Sequence, residues 1–157
     1  MLDDIVVDAN VMMHAHDPGE LRQKSCQQLL RKFLVCKTKL CVDEGFDLTE
    51  AKNRSHIGSE YLKHLRFGML GHEIVAHLAT TGRVKILSRG VPQNVSKHIR
   101  TQIGKGPDRT YVQVAYNSND KTLASHDFKD IPQPVRGRLQ SQIAVMVLAA
   151  EEAFLKF

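Results

Sequence analysis

The apolar positions of this chain fall into short β-branched runs separated by longer segments with helical spacing. Ile5, Val6 and Val7 form the first run and predict a buried strand that ends at Asp8. "HDPGELRQKSCQQLLRKFLVC" then sets Leu21, Leu29, Leu30, Phe33 and Leu34 near helical spacing, with Asp17 and Pro18 at the predicted start. "KLCVD" predicts a second strand, ending at Asp43. From Phe46 to about Thr80 the spacing is helical again. Ile57, Tyr61, Leu62 and Leu65 share one face and Ile74, Val75 and Leu78 another, and the break around Gly68 and Gly71 predicts a helical hairpin.

"RVKIL", Arg83 to Leu87, predicts a third strand, followed by a loop to Pro92 and a helix through about Ile103. In "GKGPDRTYVQVAYNS" two glycines and a proline precede a helix with Val112 and Ala115 on its apolar face. "KTLAS" predicts a further strand, and Asp127 follows it almost at once. After the helix-breaking "PQP" of Pro132 to Pro134, residues 139–157 predict one mostly apolar C-terminal helix. Strands that alternate with helices imply an α/β protein, a three-layer α/β/α arrangement around a central, mainly parallel sheet of four to five strands. A length of 157 residues fits a single domain over 1–157.

Composition narrows the partners. The net charge of +5 and pI near 9.2 suit a polyanion, nucleic acid ahead of a membrane surface. The longest apolar run, "IAVMVLAA", falls well short of the roughly 20 residues a membrane helix needs. The N-terminus lacks the charged lead and apolar core of a secretory signal, so a cytoplasmic protein is expected. Cys26, Cys36 and Cys41 lack C-x-x-C spacing and are expected to be buried, reduced thiols. The pairs His72 and His77, and His14 and His16, show neither H-E-x-x-H nor a cysteine at ligand spacing, and read as surface or core histidines.

The acids carry more. If the strands are parallel, Asp8, Asp108 and Asp127 all project at the same edge of the sheet, where α/β proteins bind ligands. Carboxylates so close repel unless a cation neutralises them, and all-oxygen ligation suits Mg²⁺ or Mn²⁺ rather than zinc. Asn10 and Ser125, each two residues from one of these acids, are placed to hydrogen-bond a metal-bound carboxylate or water. His126 is turned away from the Asp127 carboxylate by strand alternation. Asp47, Asp120 and Asp130 are assigned to solvated loops. Lys105 and Arg109 flank Asp108, while Arg54, Lys63 and Arg66 surround Glu60, so positive charge is expected along the approach.

"IVVDANVMM", a glutamate on a helix in the first half, "GPDRTYVQVA" and "KTLASHDFKDI" resemble, in that order, the motifs of the PIN-domain ribonucleases. The resemblance spans nearly the whole chain. Glu60 in "HIGSEYLKHL" is the favoured glutamate, with Glu50 in "FDLTEAKN" and then Asp43 as competitors. What the resemblance implies is a Mg²⁺- or Mn²⁺-dependent endoribonuclease, its metal held by Asp8, Glu60, Asp108 and Asp127, acting on single-stranded RNA. Many small members of that family are toxins neutralised by an antitoxin protein, a further implied partner. The C-terminal helix with Ile143, Val147, Leu148, Phe154 and Leu155 is expected to pack on the core or form a homodimer face. Alternative readings are an inactive PIN scaffold that binds RNA or a protein, and a receiver-type signalling domain. The latter needs an acidic pair directly after the first strand, whereas Asp3 and Asp4 precede it. A dinucleotide-binding domain lacks its G-x-G-x-x-G.

Overall fold

In the computed structural model, which describes residues 1–157, every predicted strand joins one five-stranded, all-parallel sheet. The elements run β1 (Asp4–Val7), α1 (Ala9–His14), α2 (Gln23–Val35), β2 (Lys39–Asp43), α3 (His56–His64), α4 (Leu70–Thr80) and β3 (Val84–Leu87). They continue with α5 (Gln93–Gln102), α6 (Gly106–Asn117), β4 (Thr122–Ala124), α7 (Gln133–Ile143), β5 (Met146–Leu148) and α8 (Ala150–Phe154). All residues of β1 are buried, because helices cover both faces of the sheet, and this is why the run shows no polar alternation. On one face α6 packs on β1, β2 and β4; α4 packs on β2 and β3 and is backed by α2, which also meets α8. The result is a three-layer α/β/α fold with one continuous apolar core.

Strand order is β3-β2-β1-β4-β5. The chain builds outward from β1 to β3, then returns to β4 on the other side of β1. That reversal opens a crevice between the carboxyl ends of β1 and β4. Val6 pairs with Leu123 and Val7 with Ala124, so the two strands end level, and Asp8 N donates to Ala124 O at 2.9 Å.

Several boundaries differ from the sequence expectation. The helix expected from Asp17 begins at Gln23, because Gly19 N donates to Asp17 Oδ1 and the segment makes a turn; Leu21 is fully exposed and Leu34 half-exposed, while Leu29, Leu30 and Phe33 are buried. Residues 46–55 are not helical. Most of all, residues 139–157 are not one helix. α7 ends at Ala144 in the left-handed conformation, with Val145 N donating to Leu139 O, and the chain then adds β5 beside β4 before the short α8. "IAVMVLAA" therefore supplies an edge strand, in which Val147 is buried, and not a helix face for dimerisation. No helix is long and apolar enough to cross a membrane.

Two buried aspartates fix elements and not chemistry. At the amino end of the sheet Asp4 accepts from Asn119 N and Asp120 N and pairs with Lys85. Burial alone would raise its pKa, but Lys85 and these N–H groups hold the carboxyl below its usual value. At the carboxyl end of β2, Asp43 is fully buried and accepts from Ser55 Oγ, from His56 N at 2.7 Å and from Ile57 N at 2.9 Å. A carboxylate at a helix start satisfies otherwise orphaned N–H groups and meets the positive end of the dipole. Asp43→Ala leaves those donors buried without an acceptor, and a loss of about 3 kcal/mol is expected in urea unfolding. A loss below about 0.5 kcal/mol, the level of an ordinary surface substitution, would contradict this role for Asp43.

Candidate metal centre

Asp8 leaves β1 as the N-cap of α1, 7% exposed. Asn10 N and Nδ2 donate to its two oxygens at 3.2 and 3.1 Å, and Ser125 Oγ donates to Oδ2 at 2.9 Å. Asn10 Oδ1 in turn accepts from His126 N, and Ser125 Oγ accepts from Asp127 N. Asn10 and Ser125 thus lock the turn after β1 to the turn after β4. Tyrosines at the base of the crevice complete the frame. Tyr61 Oη donates to Val7 O at 2.6 Å, tying α3 to the end of β1, and Tyr111 Oη accepts from Ala9 N at 3.2 Å, tying α6 to the start of α1.

α6 opens with Pro107, whose missing N–H is harmless in a first turn, and this delivers Asp108 to the crevice. Asp108, Asp127 and Asp130 each place a carboxylate oxygen within 4.8 Å of the others. Asp130, assigned to a solvated loop from the sequence, belongs to the cluster. It gets there because the loop after β4 folds back, with Asp130 N donating to Asp127 Oδ1 at 2.9 Å. Arg136, 4% exposed, holds that loop from beneath: Nε donates to Ile131 O at 2.7 Å and Nη2 to Ser125 O at 3.0 Å.

The cluster is electrostatically loaded. Burial, and then the charges of Asp108 and Asp127, push the Asp8 carboxyl up to about 7 against the hydrogen bonds of Asn10 and Ser125. Burial, then Asp127 and Asp130, push Asp108 up to about 6. Lys105 pairs with Asp130, and its charge opposes that rise in Asp108. Asp108 Oδ2 is buried and has no hydrogen-bond partner. An orphaned carboxylate oxygen among like charges, with an all-oxygen donor set, fits a hard divalent cation such as Mg²⁺ or Mn²⁺.

Glu60 lies outside this tight group. It pairs with His64 Nε2 at 3.4 Å, yet its charge reaches Asp108 and Tyr111 from across the crevice. Its competitors stand elsewhere: Glu50 lines a separate surface hollow with Lys63 and Arg66, and Asp43 anchors α3. The flanking arginines are less free than their positions in sequence suggest. Arg109 donates to Ile103 O and Gly104 O, Arg54 to Ala51 O and Asn53 O, and Arg66 to carbonyls of its own helix end.

A second grouping, His14, Cys26 and His126, has metal-like spacing on the other side of β4. Its hydrogen bonds argue otherwise. Ala150 N donates to His126 Nε2 at 2.9 Å, so the neutral ring carries its proton on Nδ1, which donates to His14 Nδ1 at 3.0 Å. No lone pair is left there for a metal. Burial holds His126 down at about 4, which keeps this ring neutral, and pushes the Cys26 thiol up to about 12. All three cysteines are free thiols, although Cys36 is only half-buried.

The raised carboxyls of Asp8 and Asp108 imply a pH dependence of stability. Their usual value is 3.8 and their values in the fold are about 7 and about 6. Across that interval the folded protein binds more protons than the unfolded chain, so stability falls as pH rises through it. Without divalent cations, Tm is expected to drop between pH 5 and 8, and Asp8→Asn, which keeps an N-cap side chain, to lessen the drop. At pH 8 that variant should melt at least about 3 °C above the parent, the shift for roughly 1 kcal/mol at this length. Parallel melting curves across the range would refute the crowding of these acids.

No family model, curated protein or solved structure matches this chain.

Proposed function

We propose that this chain is a metal-dependent ribonuclease that hydrolyses phosphodiester bonds in single-stranded RNA, as the resemblance to PIN domains implies. The observation that carries the reading is the convergence of Asp108, Asp127 and Asp130 at the crevice between β1 and β4, with Asp108 Oδ2 buried and unpartnered. These three would hold Mg²⁺ or Mn²⁺, with Asp8 and Glu60 completing the negative field around them. When bound, such an ion supplies a water of lowered pKa and neutralises charge on the phosphate and leaving oxygens.

The chain's own groups do the rest. Asn10 and Ser125 fix the Asp8 carboxylate, and Arg136 fixes the loop that presents Asp127 and Asp130. Lys105, exposed beside Asp130, stands where it can pass from that carboxylate to a phosphate of the strand. The overall charge of +5 favours a polyanionic substrate despite the local acids. With hydrolysis by water no protein nucleophile is needed, and the buried Cys26 and Cys41, whose thiols are pushed up by burial, offer none.

Purified protein with Mn²⁺ is expected to cut end-labelled single-stranded RNA. Asp108→Asn and Asp127→Asn should each lower the rate at least about 100-fold, a barrier change of roughly 3 kcal/mol, and the remote Asp47→Asn should not. Asp130→Asn should also cut more slowly, a result that a loop acid outside the site would not give. Undiminished cutting by the Asp108 and Asp127 variants would overturn the proposal. Metal-independent RNA binding with no cutting would favour the inactive scaffold.

A further inference from the structure

Beside the acidic cluster α3, α5 and α6 line a half-open cavity of about 510 Å³, within the ~300–1,000 Å³ usual for small-ligand sites. Glu60 lines it from α3 and also sits in the field of Asp108, so the cavity and the cluster share a border. Its lining also carries positive charge. Arg100, from the last turn of α5, lines the cavity and makes no ion pair or hydrogen bond, whereas Arg54, Arg66 and Arg109 use donors on backbone carbonyls.

The remaining walls offer free hydrogen-bonding groups of both kinds. Gln113 of α6 lines the cavity, half-buried, and its amide is unpaired. His56 Nδ1 lies 3.2 Å from Thr110 Oγ1. The second ring nitrogen, Nε2, has no protein partner and is left to bond a ligand. Buried Tyr111 closes the floor. A hollow lined by an uncommitted guanidinium and by mixed donors and acceptors, with Pro107 and Arg109 on either side of Asp108 in its wall, matches one chemical class well. That class is a nucleotide, whose phosphate pairs with a guanidinium and whose base edge takes hydrogen bonds.

We propose that this cavity is a nucleotide subsite, holding the nucleotide that flanks the scissile bond, with Arg100 on its phosphate and Gln113 and His56 against its base. The proposal rests on the ribonuclease reading for its place along a strand, but binding there needs no metal. It would make cleavage depend on the identity of one base, since an amide and an imidazole satisfy some base edges and leave others unpaired.

The test is calorimetric titration of the full chain, in EDTA, with each of the four nucleoside 5′-monophosphates. Saturable binding is expected, with unequal affinities for the four bases. Arg100→Ala, at an exposed position, should weaken binding at least about fivefold and reduce its salt dependence. Gln113→Ala should narrow the spread among bases to within about threefold while leaving phosphate-dependent binding in place. No binding of any monophosphate to the parent protein, or equal binding by parent and Arg100→Ala, would overturn the subsite. Loss of RNA cutting with nucleotide binding intact would count against the acidic centre alone, and intact cutting without nucleotide binding against the subsite alone.

Discussion

Mutual repulsion among carboxylates is the constraint around which this fold is organised. Asp8 at the end of β1, Asp127 and Asp130 after β4 and Asp108 at the start of α6 occupy one crevice, where Lys105 pairs with Asp130 and the buried Arg136 guanidinium lies in the field of Asp127 and Asp8. Left alone such groups would separate or take up protons. They do the latter in part, since Asp8 and Asp108 are held well above their usual range. Separation is resisted at Asp8 by Asn10 and Ser125, at Asp127 by the N–H of Asp130 and at Asp130 by Lys105, while Asp108 is carried in by the first turn of α6 with its Oδ2 unpartnered.

Those networks reach into the layers beneath. Tyr61 and Tyr111 are buried side chains whose hydroxyls meet the backbone on either side of Asp8, so α3 and α6 cannot slide without breaking a bond at the mouth of the crevice. Arg136 is a buried cation with no carboxylate partner in contact; it packs over the Phe128 ring at 4.5 Å and donates to the carbonyls of the loop. Such a group costs stability unless its donors are met. Its persistence beneath Asp127 is understandable if the shape of that loop matters. The acids of the amino end of the sheet are a contrast. Asp4 sits with Lys85 and two backbone N–H groups, and its depressed pKa marks a neutralised, structural carboxylate.

Much of this was legible in the residues. β-branched runs that stop at a polar residue located four strands, and the alternation with helices gave the parallel sheet. From these, the common edge for Asp8, Asp108 and Asp127 followed. Asp130 was hidden because an acid in a polar loop looks alike whether it faces solvent or a neighbouring acid; the D-x-x-D spacing before Ile131 and Pro132 was the available signal, and its meaning depends on the turn closed by Asp127 Oδ1. β5 was hidden because a short run such as "IAVMVLAA" satisfies both periods, and the stop before it is an alanine, not a glycine, in the left-handed region. The role of Asp43 was hidden because nothing local ties it to Ser55 and His56, more than ten residues on.

The most direct test of the central claim is Mn²⁺ titration of metal-free protein near pH 6.5, following bound ion by electron paramagnetic resonance and released protons with a pH indicator. Saturable binding accompanied by proton release is expected, because the ion displaces protons from Asp8 and Asp108, and Asp108→Asn should weaken both signals together. No bound Mn²⁺, or binding that releases no protons and survives Asp108→Asn, would contradict the account.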